Sequence, residues 1–291
     1  MKRILALFFI ILSLCGCSAE EPAMVAATTL PVYEFTARLC EGTGITVTRL
    51  VTEEVSCLHD YSLNVKQVKA AEAAQLIVIS GAGLEAFMEE LLPDRSCIDA
   101  SSGIALLCPE EEGEHAHDHG HEGHHHESDP HIWLSPVLAK TMVANITEGL
   151  ARAYPGHASV FSANKETLLS ELDALQSYGE KALSGLSCRE MVTFHDGFAY
   201  LADAFGLTIL EAVEEESGSE ASARELIHLI EEVEHHNLPA IFTEKSGSVS
   251  AAGIIARETG CGSFPLDMAM AGDSYFEAMY HNIDTIREAL Q

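Results

Sequence analysis

Short apolar strands alternate with amphipathic helices in both halves of this 291-residue chain, and this alternation restricts the possible folds more than any other feature. Leu76–Ile79 is a continuous apolar run that stops before Gly81, which is typical of a strand buried on both faces. Residues 191–194 and Gly262–Leu266 follow the same pattern in the second half, each next to a helical segment. Strands that alternate with helices pair in parallel, so the sequence predicts an α/β fold with two parallel sheets.

A long amphipathic segment, residues 157–184, separates the two halves, and Gly185 follows it. Its apolar positions have helical spacing; they are Phe161, Leu168, Leu172, Leu175 and Leu183. We expect one long helix that joins two lobes. The predicted division is an N-terminal lobe over residues 18–156, a linking helix over 157–185 and a C-terminal lobe over 186–291.

Shorter patterns predict further elements. They indicate a helix over residues 84–91 and short strands near residues 97–99 and 104–107. A helix is also expected over residues 222–236. Its predicted buried face consists of Ala223, Leu226, Ile227, Ile230 and Val233. Five histidines are interpreted as surface residues: His157, His228, His235, His236 and His281.

The first 17 residues have the pattern of a signal peptide. Lys2 and Arg3 precede the apolar residues 4–14, a run too short to span a bilayer. Leu14-Cys15-Gly16-Cys17 then matches the Leu-x-Gly-Cys pattern at which bacterial lipoprotein signals are cleaved. We therefore expect acylation of Cys17 and an extracytoplasmic protein that is lipid-anchored to the bacterial cell membrane. Plain secretion is the alternative.

Charge and cysteine usage narrow the possible functions. The formal net charge of −29 excludes a nucleic-acid partner and suits either cation capture or simple solubility. An exported chain can form disulfides, but the sequence does not choose between pairings and free thiols. No C-x-x-C pair occurs, which argues against a thiolate zinc site. The cysteines beyond Cys17 are Cys40, Cys57, Cys97, Cys108, Cys188 and Cys261.

A histidine-rich tract occupies residues 110–129. Imidazoles and carboxylates dominate it, and both are zinc ligands. The tract lacks the apolar residues that would offset the entropy of ordering it, so we expect a loop that binds metal weakly. An acidic insertion without function is the alternative. The seven histidines are His115, His117, His119, His121, His124, His125 and His126.

Four other side chains follow predicted strands. They are His59, His131, His195 and Asp267. Ligands of parallel α/β folds bind beyond the carboxyl ends of the strands, so these four groups are expected in one crevice between the lobes. Three imidazoles and one carboxylate form a four-coordinate set that Zn²⁺ accepts readily. A single histidine would more often be structural; the shared location of three favours a metal site.

Four stretches resemble the signature segments of the zinc/manganese substrate-binding proteins of ABC importers, and more specifically the high-affinity zinc-uptake lipoproteins. The stretches are Leu58-His59-Asp60-Tyr61-Ser62-Leu63, Ser80-Gly81-Ala82-Gly83-Leu84-Glu85, Asp129-Pro130-His131-Ile132-Trp133-Leu134-Ser135-Pro136 and Phe194-His195-Asp196-Gly197-Phe198-Ala199-Tyr200-Leu201. The resemblance covers essentially the whole mature chain. Its most specific part is the His131 segment with the histidine-rich tract before it.

This resemblance implies a fold and a site. The fold would have two four-stranded α/β lobes joined by one long helix, with metal in the cleft between them. The family's metal ligands fall on His59, His131, His195 and Asp267. Manganese-binding relatives carry a carboxylate at the position of His195, so histidine there points to Zn²⁺ rather than Mn²⁺. The implied partners of a monomer are an ABC permease and its ATPase subunit.

Three functions remain open on the sequence. The first is capture of Zn²⁺, or of Mn²⁺ or another divalent metal, for an importer. The second is a zinc hydrolase, although no H-E-x-x-H or G-x-S-x-G motif is present. The third is a surface adhesin that uses the same fold. The first is the function we predict.

Overall fold

The structure is a computed structural model that describes residues 24–55, 58, 61–107, 128–213, 222–247 and 249–291. The predicted signal peptide with Cys17, the predicted ligand His59 and the seven histidines of the tract lie outside the described residues. Among the helices that are described, none is long and apolar enough to cross a membrane.

Two four-stranded parallel sheets form the framework. The N-terminal sheet contains β1 (Met24–Ala27), β2 (Thr46–Arg49), β3 (Leu76–Ile79) and β4 (Cys97–Asp99), in the order β2-β1-β3-β4. The C-terminal sheet contains β5 (Glu190–Thr193), β6 (Thr208–Ala212), β7 (Ala240–Glu244) and β8 (Gly262–Leu266), in the order β6-β5-β7-β8. The two sheets share one topology, and the predicted fold class is confirmed.

Eight α-helices flank these sheets in the part of the chain that is described. They are α1 (Leu30–Leu39), α2 (Val65–Ala73), α3 (Pro136–Ala153), α4 (Ala158–Ala182), α5 (Ala199–Phe205), α6 (Ala223–His236), α7 (Ser250–Thr259) and α8 (Tyr275–Leu290). Short 3₁₀ turns cover Ala86–Met88, Ile132–Leu134 and Pro155–His157. Several helix starts follow from the sequence: Asn64 and Gln67 form a capping box on α2, and Pro136 occupies the first turn of α3.

The long helix α4 lies where the sequence predicts it and packs against α1 and α3 of the first half and against α5 and α8 of the second half. All five of its predicted apolar residues are buried. Arg38 of α1 also pairs with Glu171 of α4 through both oxygens of the carboxylate. A continuous apolar stripe is therefore shared by elements from both halves, while the exact lobe boundaries stay predictions.

Two predicted elements are wrong. Residues 84–91 contain only the Ala86–Met88 turn, because Ala82 and Gly83 have positive φ angles and the Glu85 side chain bonds back to the Ser80 and Gly81 amides. Residues 104–107 form no strand. The Leu107 amide instead donates to the Tyr200 hydroxyl.

The buried face of α6 also differs from the prediction. Val233 is buried as predicted, and Leu226 and Ile230 are partly buried against the same apolar cluster over β5 and β7. Ala223 and Ile227 are exposed instead, and the buried Leu229 takes a place in the packed face that was not predicted. As a result, the C-terminal turn of α6 presents its histidines beside the start of β5.

Hydrogen bonds near His131 tie the two halves together. The indole Nε1 of the fully buried Trp133 donates to the Met268 carbonyl at 2.8 Å. The Tyr275 hydroxyl donates to the Trp133 carbonyl at 2.8 Å, and the Leu30 amide donates to the Met270 carbonyl at 3.2 Å. The 3₁₀ turn after His131 is thus held against the segment that follows β8.

Candidate metal centre

His131 lies at a rigid junction. It precedes the Ile132–Leu134 turn, and the Ser135 side chain then caps α3 by accepting from the Leu138 amide. The His131 residue is only 3% exposed. Its ring makes an edge contact with the Trp133 ring, with centroids 5.3 Å apart. The apolar turn therefore fixes the ring before any ligand binds.

A carboxylate selects the tautomer of the His131 ring. Asp129 Oδ1 accepts from the His131 amide at 2.9 Å and lies 2.8 Å from the His131 Nδ1. A carboxylate can only accept, so Nδ1 carries a proton and the lone pair of a neutral ring lies on Nε2. Such a carboxylate–histidine pair orients an imidazole for metal binding.

His195 reaches the same place from the other half. It follows β5 by two residues, and its ring centroid lies 5.3 Å from that of His131, with the planes 82° apart. Gly197 permits this position, because a Cβ there would lie 2.6 Å from the His195 Cδ2 and 2.7 Å from the Met268 Cε. Two of the predicted ligands therefore meet between the halves.

The buried Glu244 stands beside His195, and the sequence reasoning missed it. Its Oε2 lies 3.8 Å from the His195 Nδ1, and the residue is 4% exposed. Glu244 is the last residue of β7, the strand next to β5. The rule that pointed to His195, a polar side chain at the carboxyl end of a parallel strand, would also have found Glu244.

Asp267 follows β8 directly and is engaged on both oxygens. Oδ1 accepts from the Ala269 amide at 2.8 Å, and Oδ2 accepts from the Lys245 Nζ at 3.0 Å. The backbone of Asp267 is paired with the buried Asn282 side chain. The hydrogen bond to Asp267 raises the pKa of Lys245 above its ordinary value. A metal bound by Oδ2 would have to displace this ammonium group.

A narrow cleft links these carboxylates. Its lining residues are Glu54, Val55, Glu244, Lys245, Ser246, Asp267, Met268, Met270 and Ala271. Glu54 comes from the segment after β2, whereas Glu244 and Asp267 follow strands of the C-terminal sheet. The walls therefore belong to both halves. Of the four predicted ligands, His131, His195 and Asp267 are described, and their role as ligands stays a prediction.

The comparisons with known proteins agree on one family. Residues 25–289 match the family described as "ZnuA: Zinc-uptake complex component A periplasmic". The zinc-binding lipoprotein AdcA of Streptococcus pneumoniae serotype 4 is 31% identical over 95% of this chain. The chain spans only 58% of that relative's length. A relative from Treponema pallidum is 29% identical, over 94% of this chain and 92% of its own length.

Solved structures agree with the sequence matches. A crystal structure of ZnuA superposes with a TM-score of 0.77 at 29% identity, and the match covers 92% of this chain and 100% of that chain. Zn(II)-bound AdcA from Streptococcus pneumoniae superposes with a TM-score of 0.76 at 27% identity, over 93% of this chain and 58% of that one.

Proposed function

Because the chain belongs to the family of the zinc-uptake complex component A, we propose that it captures Zn²⁺ outside the cytoplasm and delivers it to the permease of an ABC importer. The AdcA relatives carry the name zinc-binding lipoprotein or zinc-binding protein. Their name supports zinc as the cargo and a lipid anchor at Cys17. The partners would be the permease and its ATPase subunit.

The observation that carries this proposal is the pairing of His131 with His195. Each imidazole comes from a different half. Asp129 Oδ1 lies 2.8 Å from the His131 Nδ1, and a carboxylate in such a hydrogen-bonded pair holds the ring so that Nε2 serves as the ligand. Glu244 Oε2 lies 3.8 Å from the His195 Nδ1, so it places negative charge beside that ring without a hydrogen bond between these two atoms, and Nε2 is again the proposed ligand atom. We propose that these two Nε2 atoms bind the ion together with His59 and Asp267. Nitrogen-rich coordination favours Zn²⁺ over Mn²⁺, which prefers oxygen ligands.

We further propose that the metal is cargo rather than a catalyst. The family consists of metal-binding proteins of transport systems. His131 is almost fully buried and Glu244 closes the side next to His195, so side chains would enclose the ion. A zinc hydrolase needs an open position for water and substrate. Turnover of ester, peptide or phosphoester substrates that disappears in His131→Ala would contradict this.

The main test measures zinc affinity by competition with a chromophoric chelator. The background is a variant without residues 110–127, so that the histidine-rich tract adds no signal. We expect His131→Ala and His195→Ala to lose most of the affinity, because each removes a ligand. His281→Ala, which alters an exposed histidine of α8, is the control. If both cleft variants kept the parent affinity, the ligand assignment would be wrong.

Metal identity and pH give a second test. Metal content of protein purified without added metal should be dominated by zinc, and manganese would favour the alternative cargo. Imidazoles must lose their protons to bind metal, so zinc affinity should fall below about pH 6, near the ordinary pKa of a free imidazole. Affinity that stays constant from neutral to acidic pH would argue against histidine ligands.

A further inference from the structure

A second group of potential metal ligands lies on the last turn of α6, away from the cleft. One ligand atom each from Glu232, His235 and His236 falls within 4.8 Å of the others. Glu232 and His235 are three residues apart and Glu232 and His236 four, so all three occupy neighbouring positions across one helical turn. The sequence reasoning had interpreted both histidines as surface residues.

The His236 ring lies between two carboxylates at different distances. Its Nδ1 is 3.0 Å from the Glu190 Oε2, a hydrogen-bonding distance. Its Nε2 is 3.6 Å from the Glu232 Oε2, which is too long for a hydrogen bond. Two ligands of one tetrahedral zinc, each bound at about 2.1 Å, stand about 3.4 Å apart. The longer separation therefore suits an ion shared by Glu232 and His236.

Glu190 has the role of an orienting carboxylate. It is the first residue of β5, so the sheet holds it in place independently of α6. When Glu190 accepts a hydrogen bond from the protonated Nδ1, the lone pair of a neutral His236 ring lies on Nε2, the nitrogen nearer to Glu232. The His235 ring lies edge-on to the His236 ring, with centroids 4.9 Å apart, and can supply the third ligand.

The surroundings favour a cation. α6 ends at His236, and the carbonyl ends of a helix carry partial negative charge that stabilises positive charge nearby. The side chains of Glu232 and His236 are 30% and 27% exposed, so an ion can enter from solvent and water can complete its coordination. Two imidazoles and one carboxylate match the preference of Zn²⁺, whereas Mg²⁺ and Ca²⁺ prefer all-oxygen sites.

This cluster is separate from the cleft. Glu190 begins β5, while His195 lies beyond the other end of that strand. At about 3.3 Å per residue, the five-residue separation corresponds to roughly 16 Å along the strand. The two groups therefore lie at opposite ends of the C-terminal sheet. We propose that Glu232, His235 and His236, oriented by Glu190, form a second, solvent-accessible Zn²⁺ site.

The test needs a readout at these two histidines, because the tract and the cleft are also expected to bind zinc. Diethyl pyrocarbonate modifies free imidazoles, and mass spectrometry of the full chain reports each histidine separately. With added zinc we expect His235 and His236 to become protected, and chelation to reverse this. His228 is a matched control on the same helix: its Nε2 is also 3.6 Å from a carboxylate, that of Glu211, but among the described residues it belongs to no group of three potential ligands.

A substitution separates metal binding from other causes of protection. In Glu232→Gln the zinc concentration for half-protection should rise about tenfold or more, because a ligand is lost. His131→Ala should leave that concentration unchanged, so failure of the cleft proposal would not affect this result. Equal modification of His235 and His236 with and without zinc, protection of His228 to the same extent, or unchanged protection in Glu232→Gln would each overturn the proposal.

Discussion

Glu85 shows how one buried side chain can shape a segment. Its Oε1 accepts from the Thr28 hydroxyl at 2.6 Å and the Ser80 amide at 2.7 Å, and its Oε2 accepts from the Gly81 amide at 3.0 Å. These bonds join the ends of β1 and β3. Burial nevertheless raises the pKa of Glu85 from 4.5 to about 7, because desolvation outweighs the hydrogen bonds that favour the charged form.

The first prediction concerns how the free energy of unfolding depends on pH. Because the folded-state pKa of Glu85 is above the unfolded value of 4.5, the folded protein holds a proton that the unfolded chain releases between pH 4.5 and about 7. Glu85 therefore makes the free energy of unfolding fall as pH rises through this window, by up to about 1.4 kcal/mol per pH unit. Glu85→Gln should lack this component in urea denaturation of the metal-free protein.

The control for this prediction is Glu89→Gln, which alters an exposed glutamate of the same segment. Its unfolding free energy should follow the parent's dependence on pH. A constant difference between the parent and Glu85→Gln from pH 5 to pH 7 would show that Glu85 does not titrate in this window.

The second prediction concerns Lys245. Its ammonium group donates a hydrogen bond to the Asp267 Oδ2 and places a positive charge at the cleft. Lys245→Gln should raise zinc affinity about threefold to tenfold, because the ion no longer displaces or faces this charge. Lys140→Gln removes a lysine of α3 that pairs with Asp173 of α4 at 2.6 Å, and it should not change the affinity. Weaker zinc binding in Lys245→Gln would mean that the lysine supports the site.

At the scale of elements, two helical glycines stand in opposite environments. A Cβ at Gly149 of α3 would lie 2.5 Å from the Cδ1 and Cγ1 of Ile98, a buried residue of β4. A Cβ at Gly253 of α7 would meet nothing within 4 Å. Helix–sheet packing thus requires a glycine at the first position and leaves the second free.

The third prediction follows from this contrast. Alanine in a helix is more stable than glycine by about 0.5–1 kcal/mol, so Gly253→Ala should raise the free energy of unfolding by that amount. Gly149→Ala should lower it by about 1–2 kcal/mol, because overpacking against Ile98 outweighs the helical gain. Urea denaturation of both variants gives the comparison. Equal stabilisation of the two would mean that α3 and β4 can move apart without cost.

For the whole molecule, the ties around Trp133 limit relative movement of the two halves. Trp133, Tyr275 and the Met268 carbonyl form a chain of hydrogen bonds across the boundary, and α4 packs on helices from both sides. Opening the cleft widely would break these buried bonds and expose apolar surface. The free-energy cost of breaking these bonds and exposing this surface favours a preformed metal site over a large hinge closure.

The fourth prediction is therefore a small change on metal loading. In small-angle scattering, the radius of gyration of metal-free and zinc-loaded protein should differ by less than about 1 Å. The variant without residues 110–127 controls for any ordering of the tract by zinc. A larger decrease in both proteins would indicate hinge closure and contradict the preformed site.

The sequence by itself determined the elements and the ends of the strands. Strand alternation, capping residues such as Asn64 and the apolar stripe of α4 act over a few residues, so they can be read locally. They were enough to predict two parallel sheets and to place His195 and Asp267 beyond strand ends. The strand that was expected before His131, at residues 104–107, is absent. The predicted helix over residues 84–91 failed because the bonds of Glu85 depend on distant Thr28.

Only the tertiary structure decided which side chains from distant segments meet. Glu244 lies beside His195, Lys245 pairs with Asp267, and Glu190 holds His236 across 46 positions of the chain. No local pattern encodes these pairs, because each depends on the packing of one helix or strand against another. The physical reason is that periodicity reports which face of an element is buried, whereas a binding site depends on what that face is buried against.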